Sequence, residues 1–353
     1  MMKNIVFVMN NIGDGGAERV GVTVAKYMAA QGNHVSIVKM FSTYNDYSVA
    51  GIDKIVTLPN SSNKYFKHFK RLLAFQKFCR KNKTDVVIVM GVGDMMIHYF
   101  KKLHPKVKLI LSERNDPVSQ YSVDKVLGKR VNKYLACAER VVFQTQDAQD
   151  YFEENVQKKG VIIPNPIKKD LPDPFSGVRR KEIVNFCRLN PQKNLPLLFE
   201  AFGKLHQDYP DYTLRIYGRG ELKERLTELI KKNQQSEYIY IEDFASDIHQ
   251  KIRDAAMFVS SSDFEGISNS MLESMAIGLP VICTDCPAGG ARMMIEHKKN
   301  GLLVPVGDAD ALYHGMKYII ENPDHAAKMS AEAVKIRQRL AEDVICQQWV
   351  ELL

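Results

Sequence analysis

Two carboxylates and two cations have the types and spacing to do chemistry together. Glu265 and Glu273 bracket the run Glu265-Gly-Ile-Ser268-Asn269-Ser270-Met-Leu-Glu273. The first follows a strand-like apolar run and a small polar loop. The second falls one to two turns into an apolar helix through Leu272, Met275 and Ala276. One carboxylate from a loop and one from a helical face would point into a shared cleft. Such a pair suits a ligand rich in hydroxyls, such as a ribose and a hexose, because ionised carboxylates accept hydrogen bonds strongly. A helix-start anion and a solvated helix residue would show the same spacing. The cations Arg188 and Lys193 lie in Asn185-Phe-Cys-Arg188-Leu-Asn-Pro-Gln-Lys193-Asn194, ahead of a helix over 195–205. There the guanidinium can grip a pyrophosphate as a fork and the ammonium can meet it as a point charge. Two solvated loop cations remain the alternative.

Other loops at predicted strand ends add to this set. Gly218-Arg-Gly220 is a glycine turn before a helix, and Asp243-Phe244 puts an acid and an aromatic where a nucleobase could be held. Near the start, Gly13-Asp14-Gly15-Gly16-Ala-Glu18 opens a helix through Val20, Val24 and Met28. Glycines there let a phosphate approach the backbone N–H groups of a helix N-terminus. A nicotinamide site would want an acid about 20 residues further on. None stands between Glu18 and Asp46, which counts against an NAD-dependent oxidoreductase.

The elements that must position these loops alternate along the whole chain. Strand candidates are 5–9, 35–40, 86–90, 107–111 and 141–143 in the first half, and 183–187, 214–217, 238–241, 257–260, 281–284 and 302–304 in the second. Helical stretches separate most of them, which predicts α/β architecture with parallel sheets covered on both faces. At 353 residues two domains are expected. The four prolines of 162–174 mark the boundary, since proline continues neither a helix nor a central strand. The expected domains are 1–166 and 167–336, with 337–353 a C-terminal helix returning to the first. Ligands of open parallel sheets bind outside the carboxyl ends of the strands, so two facing domains would form a central cleft.

Composition narrows the function. An apolar fraction of 45% supports packed cores, and no apolar run approaches the roughly 18–20 residues that span a bilayer. Met1–Met9 lacks a signal-peptide pattern, so a cytoplasmic protein is expected. Of six cysteines only Cys283 and Cys286 are close, and no second pair completes a zinc site. Asp308-Ala-Asp310 precedes a helical run and is expected to be an N-cap with a first-turn acid; no metal and no cofactor are expected. Residues 1–166 hold 25 Lys and Arg against 14 acids, a surplus of +11, whereas 167–353 hold 24 against 27, or −3. The surplus gathers in 64–83, where Phe66, Phe69, Leu73 and Phe75 alternate with Lys67, Lys70, Arg71 and Lys77, and continues in Lys101, Lys102, Lys106 and Lys108. A basic amphipathic helix fits an anionic membrane surface as well as it fits a packed surface helix. The segment matches no nucleic-acid module, and no nucleic-acid partner is expected.

Together these motifs resemble the retaining glycosyltransferases of family 4, which have the GT-B fold of two doubly wound Rossmann-like domains facing a central cleft. The resemblance rests on Arg188 with Lys193, Gly218-Arg-Gly220, Glu265-x7-Glu273, Gly15-Gly-Ala-Glu-Arg-Val20 and Ile163-Pro-Asn-Pro166. Ser112-Glu113-Arg114-Asn115-Asp-Pro117 and Thr284-Asp-Cys-Pro-Ala-Gly-Gly290 look like the members that extend lipid-linked glycans. Many members place a histidine in the loop that here reads Glu113-Arg114-Asn115. The resemblance implies transfer of a hexose or N-acetylhexosamine, with retention, from a uridine diphosphate sugar to a polyprenyl-diphosphate-linked glycan in polysaccharide or oligosaccharide synthesis. The enzyme would work peripherally at the inner face of the cell membrane. It implies Glu265, Arg188 and Lys193 as the catalytic groups. Gly15, Gly16, Gly218, Gly220, Asp243, Phe244, Ser268, Asn269, Ser270 and Glu273 would hold the donor, and Glu113, Arg114 and Asn115 would lie on the acceptor side. A small soluble acceptor is the alternative.

Overall fold

Buried apolar runs form the centres of two separate parallel sheets. The computed structural model describes residues 2–13, 15–42, 47–60, 64–91, 96–121 and 125–353; the side chains at 64, 65, 125–127 and 129 are outside the description. Asp14 and Asp46 therefore lie outside the described residues. One unit comprises Met1–Pro166 with Glu342–Leu353, and the other Ile167–Ala341.

In the first unit the strands are β1 (Asn4–Met9), β2 (His34–Lys39), β3 (Lys54–Thr57), β4 (Val86–Met90), β5 (Lys108–Ser112), β6 (Arg140–Phe143) and β7 (Gly160–Ile162). They pair in the order β3-β2-β1-β4-β5-β6-β7, every neighbour parallel. The helices between them are α1 (Gly16–Ala30), α2 (Lys64–Lys81), α3 (Met96–Leu103), α4 (Pro117–Tyr121), α5 (Lys125–Leu135), α6 (Gln146–Asp150) and α7 (Glu154–Gln157). All five residues of β4 are buried, as befits a central strand covered on both faces. Two strands escaped the sequence pattern. β3 is a largely exposed edge strand and β7 is only three residues long, so neither presents a long apolar run.

In the second unit β8 (Arg180–Arg188), β9 (Thr213–Arg219), β10 (Ile239–Glu242), β11 (Ala255–Ser260), β12 (Val281–Thr284) and β13 (Leu302–Val304) pair in the order β10-β9-β8-β11-β12-β13, again all parallel. These are the six strands predicted from the apolar runs. The helices are α8 (Leu195–Asp208), α9 (Lys223–Lys232), α10 (Ile248–Ile252), α11 (Asn269–Ala276), α12 (Gly290–Met294), α13 (Ala309–Glu321), α14 (Pro323–Val334) and α15 (Ile336–Arg339). In each sheet the strand order reverses once, between β1 and β4 and between β8 and β11. Loops leaving the two strands at such a point diverge and open a crevice at the carboxyl edge.

The basic helix α2 is more divided than its sequence suggests. Phe75 is fully buried and sits edge-on to Phe100 of α3, with ring centroids 4.7 Å apart. Arg71 is only 2% exposed, and its Nη2 donates to the Met40 carbonyl at 2.8 Å. Lys101 is tied to the carbonyls of Pro105 and Val107 and to Glu139, and Lys108 to the Leu353 carbonyl. These four side chains therefore do not belong to an outward basic face, contrary to the pattern read from sequence. Phe66, Phe69 and Leu73, 59%, 58% and 49% exposed, form the outward stripe instead.

The last helix, α16 (Glu342–Val350), belongs to the first unit and packs on α1, burying Ile345, Cys346 and Trp349. Trp349 is fully buried. Trp349→Ala should cost about 3–5 kcal/mol, the usual range for emptying a buried aromatic site. Urea unfolding checks this, and an unchanged first midpoint would show that α16 does not anchor the unit.

Candidate functional site

The strand reversal in the second unit brings two loops from distant sequence side by side. After β8 the chain makes a tight 3-10 turn, Pro191–Lys193, and Asn194 then takes a left-handed conformation (φ 40°, ψ 48°) before α8. Asparagine tolerates that region better than most residues because its short polar side chain bonds locally. Here Asn194 Nδ2 donates to Asp263 Oδ1 at 2.8 Å, across to the loop after β11. The Ser261 hydroxyl points at the carbonyls of Lys193 (2.9 Å) and Asn194 (3.0 Å). Gln192 Nε2 donates to the Phe264 carbonyl at 2.8 Å, and the Asp263 N–H donates to the Gln192 carbonyl at 2.9 Å. The two loops are thus laced together through backbone and side chain alike.

Lys193 and Glu265 are the result of that lacing. The Lys193 ammonium pairs directly with Glu265 Oε1, and their side chains are only 12% and 14% exposed. Burial alone would push the Lys193 ammonium down; the Glu265 carboxylate outweighs it, so its pKa is raised. The Ser262 hydroxyl donates to Glu265 Oε1 at 3.1 Å. The Glu265 backbone is held as well: its N–H donates to the Pro287 carbonyl (2.5 Å), and its carbonyl accepts from the Ala288 N–H (2.7 Å). This contact needs the glycine at 290, where a Cβ would fall 1.8 Å from the Gly266 carbonyl oxygen. Arg188 ends β8 with an exposed side chain that makes no ion pair among the described residues.

The remaining predicted donor-side residues of this unit occupy the same carboxyl edge. Ser268 caps α11, accepting from the Met271 N–H, and Asn269 and Ser270 begin the helix half-buried. Glu273 is buried one turn further on, its Oε2 2.7 Å from Nε2 of buried His249. Gly218 and Gly220 are spacers for the Arg188 loop: a Cβ would lie 2.0 Å from the Cys187 carbonyl at the first and 2.3 Å from the Leu189 carbonyl at the second. Asp243 and Phe244 follow the edge strand β10 and are exposed, Asp243 paired with Lys223 and Phe244 under the Arg219 guanidinium. They stand two strands from β8, apart from the Lys193–Glu265 pair. Asp308 caps α13, accepting from the Ala311 N–H at 2.8 Å, while Asp310 pairs with Lys204. Among the described residues no group of three His, Cys, Asp or Glu could hold a metal ion. Burial pushes the Cys286 thiol up to about 12 and Cys283 higher still, which makes both poor nucleophiles.

In the first unit, Gly15 precedes α1 at φ 115°, a conformation open to glycine, and Gly16 begins the helix. Gly21, unnoticed in the sequence, lets α1 lie close on the sheet: a Cβ would sit 2.8 Å from Met9 Sδ and 2.9 Å from Met90 Cγ. At the ends of β5, β6 and β7 a second polar cluster forms. Glu113 is buried, its Oε1 accepting from the N–H of Arg114 (2.9 Å) and Asn115 (3.1 Å) and its Oε2 from the Tyr121 hydroxyl (2.8 Å). Burial lifts its carboxyl to about 7 despite those bonds. Arg114 Nη2 donates to Asn165 Oδ1, which also accepts from Gln144 Nε2 at 2.7 Å. Burial lowers the Arg114 guanidinium to about 10. Its Nε and Nη1 are buried without a hydrogen-bond partner among the described residues.

Gln192, Asn194, Ser261, Ser262, Asp263, His249, Gln144 and Asn165 were not singled out by spacing. Gln192 and Asn194 lay within the run that ends at Asn194, and Asn165 within Ile163-Pro-Asn-Pro166, without a role of their own.

Sequence models of known families match both units. The model of the glycosyl transferases group 1 covers residues 167–336, and that of Glycosyltransferase Family 4 covers 14–171. The chain belongs to glycosyltransferase family 4. Among relatives of this transferase is an uncharacterized glycosyltransferase of Haemophilus influenzae, 26% identical over all of both chains. A second is an N-acetylgalactosamine-N,N'-diacetylbacillosaminyl-diphospho-undecaprenol 4-alpha-N-acetylgalactosaminyltransferase of Campylobacter jejuni, 26% identical over 97% of each. Anabaena HepE in complex with UDP-glucose shares the fold with a TM-score of 0.84 at 18% identity, covering 99% of this chain and 98% of HepE. TarM superposes with a TM-score of 0.82 at 14% identity over 100% and 99% of the two chains. These neighbours establish the GT-B fold.

The Glu113 carboxyl binds its proton more tightly in the folded transferase than in the unfolded chain, where an ordinary carboxyl pKa applies. Its contribution to stability is therefore greatest at low pH, shrinks as pH rises from about 4.5 to about 7, and is flat above. Glu113→Gln keeps the shape without the charge. Its melting temperature relative to the natural protein should rise steadily between pH 5 and pH 7.5 and then level off. A difference independent of pH would refute the raised pKa.

Proposed function

We propose that this family 4 enzyme transfers a hexose or N-acetylhexosamine, with retention, from UDP to a glycan carried on a polyprenyl diphosphate. The observation that carries the reading is the Lys193–Glu265 pair. It sets a cation for a diphosphate beside a carboxylate for sugar hydroxyls, at the strand reversal where open sheets take ligands. UDP is the nucleotide in complexes of HepE, and a diphospho-undecaprenol glycan is the acceptor named for the Campylobacter relative. Both support the reading by likeness.

In the reaction the bond from the anomeric carbon to the β-phosphate oxygen breaks. An acceptor hydroxyl forms its bond on the same face, and its proton passes to the departing phosphate. Negative charge grows on the diphosphate, where Lys193 and Arg188 stabilise it without a metal ion. Positive charge grows on the sugar, where Glu265 strengthens its hold. Glu273 holds the ribose hydroxyls, and Asp243 and Phe244 border the base. Glu113, Arg114 and Asn115 serve the acceptor, the two unpartnered Arg114 donors being suited to an oxyanion.

Lys193→Ala should lower turnover at least ~100-fold, the usual loss when a transition-state charge partner is removed, with activity unaffected by excess chelator. Steady-state kinetics should show Glu265→Ala acting mainly on kcat and Glu273→Ala mainly on the donor KM. Small, equal effects in folded variants, or an absolute metal requirement, would overturn the assignment.

The outward stripe Phe66, Phe69 and Leu73, flanked by Lys67, Lys70 and Lys77, fits an anionic lipid surface, each lysine contributing on the order of 1 kcal/mol near it. No described helix is long and apolar enough to cross a membrane. Replacing Lys67, Lys70 and Lys77 by Gln should release the enzyme from anionic vesicles at low salt and leave donor hydrolysis intact. Unchanged vesicle binding would make α2 a packed surface element only.

A further inference from the structure

Glu273 does not stand alone on α11. Its Oε2 lies 2.7 Å from Nε2 of His249, and both side chains are buried. An ionised carboxylate is acceptor-only, and the Nε2–H tautomer of His249 is the one that donates to it. The imidazole is fixed in turn. It meets Phe186 of β8 edge-on, centroids 5.8 Å apart at 87°, and Phe186 meets Phe258 of β11 edge-on at 5.5 Å. The carboxylate direction is therefore referred back to β8 and β11, the two strands at which the sheet reverses.

Packing alone does not call for such a pair. Apolar side chains would fill the space between α10 and α11 without the desolvation that a buried imidazole and carboxylate incur. Its placement is also telling. α10 and α11 both begin at the carboxyl edge of the sheet, after β10 and β11, and His249 and Glu273 are the second and fifth residues of those helices. A glutamate has three rotatable bonds, and a directional donor at one oxygen removes most of that freedom before a ligand arrives.

We propose that His249 is a positioning residue for nucleotide recognition: its Nε2–H orients the Glu273 carboxylate toward the vicinal hydroxyls of a ribose. The inference rests on the ribose reading of Glu273 given above. His249 touches no reacting atom, and its loss should be felt in nucleoside affinity rather than in the sugar-transfer step.

The test uses the full chain and two probes, UDP and 2′,3′-dideoxy-UDP, with dissociation constants measured by calorimetry. The natural protein should prefer UDP. His249→Phe keeps a ring against Phe186 and removes the donor. It should weaken UDP roughly tenfold, in line with a lost hydrogen bond to a charged group, and leave dideoxy-UDP unchanged, so that the preference collapses. His249→Gln, whose amide can reach the Nε2 position, should restore most of it, and His249→Asn, whose amide reaches only the Nδ1 position, should not. The Gln and Asn pair gives the same comparison if the Phe variant does not fold. With turnover at saturating donor, the folded His249 variants should keep kcat within about twofold of the natural enzyme. If Glu273→Gln abolishes the ribose preference while His249→Phe preserves it, the positioning role is overturned and the ribose reading stands. If Glu273→Gln itself preserves the preference, the ribose reading falls and this inference with it.

Discussion

A lysine ammonium and a glutamate carboxylate, each about one-eighth exposed, face each other where the second sheet reverses its strand order. Taking two charges largely out of water is costly, and a buried ion pair is often no more stabilising than apolar residues of the same volume. Stability is thus a weak reason to keep Lys193 and Glu265, and the role proposed for them in holding anionic and hydroxyl-bearing ligand groups supplies another. The surroundings hold the pair in place. Asn194 accepts a left-handed backbone, Ser261 gives its hydroxyl to two carbonyls, Gln192 reaches the Phe264 carbonyl, and Gly290 leaves room for the Gly266 carbonyl. Each contact limits where one of the two charges can go. Electrostatic assistance works best when such groups need not reorganise during reaction.

The first unit meets the same requirement with different chemistry. Its Glu113 is satisfied by three donors yet so well buried that its carboxyl is lifted to about 7, and its Arg114 is anchored through one nitrogen. Asn165, from the proline-rich boundary segment, is the anchor. A motif that reads in sequence as a domain junction therefore also fixes a guanidinium at the carboxyl edge of the first sheet.

The helix α2 shows how one amphipathic pattern can serve two purposes. Helical spacing places Phe75 and Cys79 inward against the body of the unit, and Phe66, Phe69 and Leu73 on another face. Arg71, counted among the outward charges when only spacing is considered, instead satisfies a backbone carbonyl inside. A buried guanidinium needs acceptors, and the chain end of β2 supplies one at Met40.

Much of this was legible in the residues themselves. Eleven of the strands follow from apolar runs, because a parallel strand covered on both faces must be apolar throughout. Lys193, Glu265, Glu273 and the glycines at 15, 16, 218 and 220 stood out because charge and glycine are conspicuous at strand ends. Short or exposed strands left no such trace, which is why β3 and β7 were missed. What the linear pattern could not supply was who meets whom. That Lys193 pairs with Glu265, 72 positions away, depends on β8 and β11 being neighbours. That His249 faces Glu273 depends on two helices that follow β10 and β11, strands three places apart in one sheet. Strand order is a property of the packed sheet, set by burial and crossover geometry over long separations. Composition and spacing determined the fold class and the candidate groups; only the tertiary structure decided their partners, their burial and hence their chemistry.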